Sequence, residues 1–260
     1  MSEQNQMMTF GGHLEVLRRM LFRILTAIAV FAVVIFCFKD TTFGLLLAPS
    51  KSTFCLYRWI EEFFAWIGVD FHFAPFEVTL IATDLSSQFM THISTSLYLG
   101  FLCSSPYILF ELFRFVSPAL YDNERKYSIP LLVIIYLLFM VGVLMSYFIL
   151  FPISFRFLGT YSVAEQIHST ITLDSYISTF VTLTLVMGFV FQLPVIAYFL
   201  AKLGFIQSEM LAEYRQYAFI IIMVVAAIIT PPDLMTLILV TIPLYLLYEV
   251  SIMVTKRINK

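Results

Sequence analysis

Charge is scarce in this sequence. Only 12% of its 260 residues are Asp, Glu, Lys or Arg, while 60% are hydrophobic and 17% are aromatic. A soluble domain carries about 25% charged residues, so this chain has too few to cover a water-facing surface. Its net charge of −2 also offers no basic surface to a nucleic acid. These deficits exclude an ordinary cytosolic enzyme, a disordered protein and a nucleic-acid binder, and they indicate one helical domain that crosses a membrane several times.

Motifs for catalysis and metal binding are also missing. The three cysteines form no CxxC pair, and the four histidines lie in different segments without the spacing of metal ligands. The sequence contains no P-loop, GxGxxG, GxSxG or HExxH motif. We therefore expect no enzymatic activity, cofactor, metal or disulfide framework. Cys37 and Cys103 lie in apolar stretches and are expected to be buried packing residues.

Six apolar stretches without central charges are the main feature that the sequence does have. A helix that crosses a hydrocarbon core of about 30 Å needs about 20 residues. The fifth and sixth stretches each reach only roughly 25 Å, and the fifth ends at Pro231-Pro232. Two adjacent short spans predict local thinning of the bilayer. We predict an all-α polytopic membrane protein with a single domain over 1–260, and with spans at about 20–39, 85–112, 127–155, 174–201, 216–231 and 233–254.

The connection over residues 40–84 is the longest between two predicted spans. Its segment 57–68 is apolar on one face and charged on the other, which predicts a short helix lying on the membrane surface. Pro194 removes a backbone donor from the fourth span and is expected to kink it. Asp174 is predicted to cap the N-terminus of that span.

Lysine and arginine are distributed unevenly between the two sides of the predicted membrane domain. With the N-terminus inside, eleven of the 15 basic residues lie in cytoplasmic segments and four lie outside. Basic residues accumulate on the cytoplasmic side of membrane proteins. The sequence therefore predicts that both termini are cytoplasmic and that the loop 40–84 is outside.

Two glutamates on the predicted cytoplasmic side are candidates for binding a positively charged ligand. Glu15 precedes the first span, and Glu124 lies in the loop between the second and third spans. A pair of carboxylates can bind two guanidinium groups through bidentate, charge-assisted hydrogen bonds. Two structural alternatives stay open, since Glu15 could pair with Arg19 on its own helix and Glu124 could stabilise the start of the third span.

Gln192 is the polar residue that stands out within a predicted span. It lies deep in the fourth span, two residues before Pro194. An amide in lipid is costly unless it finds a partner, so Gln192 is expected to face another helix. That partner is either a transmembrane helix of another protein or a backbone carbonyl of this chain that Pro194 leaves without a donor.

The order and placement of several short motifs resemble the TatC family, the core subunit of the twin-arginine protein translocase. The similarity covers nearly the whole chain, and its most specific part is FVSPALYDNER over 115–125. The other matching motifs are HLEVLRR over 13–19, Ala48-Pro49, IATD over 81–84, GFVFQLPV over 188–195, TPPD over 230–233 and PLYLLYE over 243–249.

This resemblance implies a fold and a function. Six helices in a curved, cupped arrangement would bind the twin-arginine signal peptides of folded proteins and export these proteins across the bacterial cytoplasmic (inner) membrane. The proton motive force would drive transport, and the partners would be the single-span proteins TatA and, in many organisms, TatB, in a hetero-oligomer with several copies. The residues implied in signal-peptide binding are Glu15, Arg18, Phe115 and Glu124.

The resemblance also assigns roles to residues elsewhere in the chain. Pro49 and Asp233 correspond to loop positions that matter for function in the family. Gln192, Thr230 and Thr236 are the candidates for docking a partner helix. Many family members have a glutamate in place of Gln192, and glutamine can form hydrogen bonds but cannot titrate. The outside loop is also longer than the family pattern, because it contains the segment 57–68.

A small-solute or ion transporter is the alternative function. Such a protein is expected to show charges within its spans, broken helices in matched halves or an internal repeat. The sequence shows none of these features. We therefore expect a translocase receptor rather than a transporter.

Overall fold

A computed structural model describes residues 10–70, 72, 73, 76, 78–116, 128–162 and 170–258. Helices account for most of these residues, and the two short strands are β1 (Leu80–Ile81) and β2 (Ile171–Thr172). The helices are α1 (Phe10–Cys37), α2 (Lys39–Leu46), α3 (Cys55–Trp66), α4 (Ser87–Val116), α5 (Ser128–Met145), α6 (Phe151–Thr160), α7 (Leu173–Val190), α8 (Leu193–Lys202), α9 (Ser208–Glu213), α10 (Arg215–Ile229) and α11 (Leu234–Ile258).

Five helical segments among the described residues are long and apolar enough to cross a membrane. They are Leu14–Cys37, Ser87–Phe115, Pro130–Thr160, Leu173–Lys202 and Leu234–Ile258. The sixth apolar helix, α10, has 15 residues and is therefore roughly 22 Å long. The predicted all-α, polytopic fold is confirmed, and each predicted span has an apolar helix.

The chain divides into two compact units. The first contains α1, most of α4 from His92 onward and the beginning of α5. Its buried core consists of Met20, Ile24 and Ile108. At Gly100 the two long helices approach closely, since a Cβ atom there would lie 2.8 Å from the backbone nitrogen of Ala32. Small residues permit such close helix packing in membrane proteins.

The second unit contains residues 40–91 and 137–260. Within it, α11 packs against both α8 and α10. The fourth span is divided at Phe191-Gln192 into α7 and α8, and Pro194 is the second residue of α8. Proline has no N–H to donate to the carbonyl one turn earlier, so the regular hydrogen bonding stops there. The interruption of this span at Pro194 is therefore confirmed.

Two glycines and one irregular turn shape the packing between the third and fourth spans. A Cβ atom at Gly142 would lie 2.5 Å from the Met187 carbonyl oxygen, and one at Gly188 would lie 2.7 Å from the Phe139 ring. The helix then widens into a π-helical turn at Ser146–Leu150 before Pro152. The Ser146 hydroxyl lies 3.3 Å from that of Thr184, so both buried groups have a hydrogen-bond partner.

Three tyrosine hydroxyls fix the segment that follows the first span. Tyr147 donates to the Leu45 carbonyl at 2.8 Å, and Tyr176 donates to the Leu46 carbonyl at 2.7 Å. Tyr57 on α3 donates to the Pro152 carbonyl at 2.9 Å. Farther along, Leu80 pairs with Ile171 in a parallel two-stranded sheet. Much of the long connection is thus attached to the helices of the second unit.

Three sequence expectations are wrong. The sixth span is not short, because α11 has 25 residues and is therefore roughly 37 Å long. The residue that caps α7 is Thr172, whose hydroxyl accepts from the Ser175 N–H at 3.2 Å, while Asp174 lies in the first turn. Cys37 and Cys103 are exposed rather than buried. Apolar helices of a membrane protein present many side chains to lipid, so an apolar sequence environment does not predict burial within the protein.

Candidate functional site

The candidate binding site lies where α1 and α4 pack together in the first unit. Phe115, near the end of α4, packs against the core formed by Met20, Ile24 and Ile108. The α1 sequence supplies this contact because its apolar residues recur every three or four positions on one face. Phe115 is therefore held by helix packing.

A cavity of about 300 Å³ opens beside Phe115. It is lined by apolar and charged side chains: Val16, Arg19, Met20, Arg23, Glu111, Arg114 and Phe115. The α1 residues of this wall follow the three- and four-residue spacing of one helix face. The cavity therefore combines apolar walls with guanidinium groups and one carboxylate.

Glu111 is the carboxylate of this cavity, and it is only 5% exposed. Its Oε1 accepts a hydrogen bond from the Tyr107 hydroxyl at 3.1 Å and lies 3.5 Å from Nη1 of Arg23. The sequence interpretation missed this residue because the charge-free part of the second span ends at Phe110. A signal was present, since Tyr107, Glu111 and Phe115 are spaced four residues apart on one helix face.

Glu15 pairs with Arg19 on its own helix, as the structural alternative expected. Both side chains are mainly exposed, at 61% for Glu15 and 71% for Arg19. Glu15 does not line the cavity, although its partner Arg19 does. Arg18 lies with its guanidinium carbon 5.6 Å from the centre of the Phe22 ring. Glu124 lies outside the described residues.

The three residues expected to dock a partner helix are largely buried within the chain. Gln192 is 9% exposed, and its backbone carbonyl accepts from the N–H groups of Val195 and Ile196. The Thr230 hydroxyl donates to the Ala226 carbonyl at 2.9 Å. Thr236 is 1% exposed, and its hydroxyl has no hydrogen-bond partner among the described residues. Thr236 and Ser154 line a cavity of about 100 Å³.

The two predicted loop residues have clear local roles. Pro49 is buried in the 3-10 turn Ala48–Ser50, which follows the carbonyls that Tyr147 and Tyr176 bind. Asp233 caps α11, since its Oδ1 accepts from the Thr236 N–H at 2.6 Å. A cap satisfies a backbone donor that the first helical turn leaves free, so Asp233 stabilises the start of the last span.

Two further arginines of the second unit are held in different ways. Arg215 makes a bidentate ion pair with Glu249, with distances of 2.9 Å and 3.1 Å. The guanidinium of Arg156 lies over three aromatic rings, those of Tyr57, Phe73 and Phe76. The sequence interpretation assigned no role to either arginine.

Comparison with known proteins identifies the family. The family model described as "Sec-independent protein translocase protein (TatC)" matches residues 12–243. The TatC protein of Blattabacterium sp. subsp. Periplaneta americana is 34% identical over 263 residues, covering 100% of this chain and 98% of the relative. The TatC protein of Desulforapulum autotrophicum is 33% identical over 260 residues, covering 100% of this chain and 88% of the relative.

A solved structure supports the same assignment. The "Crystal Structure of Twin Arginine Translocase Receptor- TatC" matches with a TM-score of 0.75 and 34% identity. The match covers 95% of this chain and 100% of that chain. These comparisons do not favour the small-solute or ion transporter. The chain belongs to the TatC family of Sec-independent protein translocase proteins.

Proposed function

We propose that this chain is the receptor for twin-arginine signal peptides and the assembly core of a translocase that exports folded proteins. The observation that carries the proposal is the match to a solved twin-arginine translocase receptor over 95% of this chain. The translocase lies in the bacterial cytoplasmic membrane, and the proton motive force drives transport.

Both termini face the cytoplasm in this proposal. Eleven of the 15 basic residues are then cytoplasmic, in agreement with the usual distribution in membrane proteins. This orientation requires α10 to cross the membrane as the fifth span. Because α10 is roughly 22 Å long, the bilayer thins beside it from its usual hydrocarbon thickness of about 30 Å. Local thinning lowers the barrier to moving a folded protein across.

The signal peptide binds at the cytoplasmic ends of α1 and α4, through Glu15, Arg18, Phe115 and Glu124. The cavity beside Phe115 supports this placement, since it provides apolar walls for a peptide beside charged groups. Glu15 is mainly exposed, and within the described part of the chain it pairs with Arg19 of its own helix. A guanidinium from the peptide can therefore replace Arg19 at little cost, because exposed ion pairs contribute only about 0–1 kcal/mol.

The partners are the single-span protein TatA and, where it is present, TatB, in a complex with several copies. Gln192, Thr230 and Thr236 are the proposed docking residues for a partner helix. The Thr236 hydroxyl supports this role, because it lacks a partner among the described residues and lines a cavity of about 100 Å³. A polar side chain of a partner helix that enters this cavity would satisfy the hydroxyl. Pro49 and Asp233 hold the loops at the ends of the spans.

Peptide binding to the purified full-length protein in detergent tests the receptor function. We expect a labelled peptide with an Arg-Arg pair to bind at least about tenfold more tightly than a Lys-Lys peptide, because only guanidinium binds carboxylate in a bidentate manner. Glu15→Ala and Glu124→Ala are expected to weaken Arg-Arg binding without lowering the melting temperature. Glu62→Ala, which removes an exposed carboxylate of α3, is the control.

Equal affinity of the unmodified protein for both peptides would contradict the receptor function. Normal binding by both glutamate variants would contradict the proposed carboxylate pair, while the receptor function itself would stand.

A further inference from the structure

The buried carboxylate in the cavity beside Phe115 is a group that neither the family resemblance nor the comparisons assign to a role. Glu111 is 5% exposed, whereas Glu15 is 61% exposed at its side chain. A charge pair gains more energy in a site that excludes water than on an exposed surface. A buried carboxylate without a partner is costly, so an arginine of the peptide that reaches Glu111 must take over the contact that Arg23 makes there.

The contacts of Glu111 leave room for a ligand. Both of them, from Tyr107 and from Arg23, go to Oε1, and nothing bonds to Oε2 among the described residues. The contact from Arg23 is long at 3.5 Å, and the Arg23 side chain is 52% exposed. Because this contact is long and Glu111 is buried, Arg23 can leave only when another guanidinium takes its place beside the carboxylate.

The first helix thus supplies a pair of arginines of its own to two carboxylates. Arg19 occupies Glu15, and Arg23 occupies Glu111. Both arginines line the same cavity and lie four residues apart on α1. One guanidinium of α1 therefore lies at each of these two carboxylates.

We propose that Glu111 determines specificity for arginine, and that one guanidinium of the signal peptide replaces Arg23 there. This inference rests on the proposed receptor function and adds a binding residue to it. Removing a buried carboxylate weakens the bound state, whereas removing Arg23 weakens the competing free state. The two substitutions therefore change affinity in opposite directions.

Binding of Arg-Arg, Arg-Lys, Lys-Arg and Lys-Lys peptides to the purified full-length protein tests the inference. Glu111→Gln is expected to weaken Arg-Arg binding about tenfold and to abolish the preference for arginine at one of the two positions. Arg23→Gln is expected to tighten Arg-Arg binding about threefold. The control is Glu62→Gln, because Glu62 belongs to an exposed pair on α3.

Unchanged binding of the Arg-Arg peptide by Glu111→Gln would overturn the inference. Weaker binding by both Glu111→Gln and Arg23→Gln would also overturn it, because equal losses indicate that the two residues form a structural ion pair. If Glu111→Gln does not fold, the Arg23→Gln result decides alone, and only tighter binding supports the inference. A failed receptor function is distinguishable, because then the unmodified protein itself does not discriminate Arg-Arg from Lys-Lys.

Discussion

Arg156 and Arg23 show two opposite ways of holding an arginine. The guanidinium carbon of Arg156 lies 4.2 Å from the ring centre of Phe73, 4.8 Å from that of Phe76 and 5.1 Å from that of Tyr57. Arg23 has instead one 3.5 Å contact with Glu111, beside an open cavity. Three aromatic rings surround the first cation, whereas the second contacts one carboxylate among the residues that the structure describes.

The difference separates a structural arginine from an exchangeable one. Aromatic rings stabilise a cation through their faces, and three of them give Arg156 contacts that an incoming ligand would have to replace together. A single ion pair with a half-exposed partner can be replaced by any other guanidinium of suitable geometry. The structure thus supports rigidity around Arg156 and exchange around Arg23.

Arg156 is the arginine whose replacement is expected to cost the most stability. Arg156→Ala removes three ring contacts and the apolar stem that packs with them, so it is expected to lower the free energy of unfolding by about 2–3 kcal/mol. The thermal unfolding of the purified protein in detergent measures this change. Arg156→Lys keeps the charge but loses the stacking, and it is expected to recover only part of the loss.

Arg58→Ala is the matched control for that experiment. Arg58 lies on α3 in an exposed pair with Glu62, so its removal is expected to change stability by less than about 0.5 kcal/mol. The rings of Tyr57, Phe73 and Phe76 form an aromatic cage around Arg156. Equal melting temperatures for Arg156→Ala and Arg58→Ala would show that this cage contributes no stability, and Arg156 would then be held no more firmly than an exposed arginine.

Tyr57 forms one wall of the cage around Arg156, and its hydroxyl is buried. Burial raises the pKa of its hydroxyl from 10.0 to about 12, although the nearby Arg156 partly opposes this shift. A group whose pKa is raised by folding stabilises the protein below its unfolded pKa and loses that contribution as the pH rises through the folded value. The relevant window therefore runs from about pH 10 to about pH 12.

Tyr57→Phe removes both the titration and the hydrogen bond to Pro152. At neutral pH the variant is expected to be about 1 kcal/mol less stable, because the Pro152 carbonyl loses its donor. Above about pH 10 the unmodified protein loses stability that the variant retains, so the difference between them narrows. Melting temperatures at about pH 8 and about pH 11 measure it, and a constant difference would contradict buried titration of Tyr57.

The fold class could be predicted from the sequence because membrane helices have a strong linear signal. Long apolar stretches, the break at Pro194 and the short fifth span all follow from local composition and from the chemistry of proline. The cap of α7 could not be predicted as reliably, since Thr172 and Asp174 are both suitable caps and lie two residues apart. The exposure of Cys37 and Cys103 could not be predicted either, because it depends on which helix faces lie toward lipid.

The candidate site could be predicted only in part. The family resemblance directed attention to Phe115, which does line the cavity. Glu111 was missed because its sequence position, near the end of a span, is that of an ordinary flanking charge. Its special surroundings depend on Arg23, which belongs to another helix. The cage around Arg156 was missed for the same reason, since its three rings come from segments about 80 to 100 residues earlier in the chain. Contacts between distant segments have no local signal.

Arg215 is neither surrounded by aromatic rings nor held by one long contact, and its replacement by lysine is expected to change stability least. Its two hydrogen bonds to Glu249 at 2.9 Å and 3.1 Å join the start of α10 to α11. Side-chain exposures of 47% and 24% screen the pair, so Arg215→Lys is expected to cost about 0.5 kcal/mol in thermal unfolding. The double variant with Arg215→Glu and Glu249→Arg is expected to recover part of the larger loss caused by Glu249→Ala. If the reversed pair is no more stable than Glu249→Ala, charge attraction does not hold these two helices together. Side-chain packing, such as the edge-to-face contact between Phe219 of α10 and Tyr245 of α11, must then hold them.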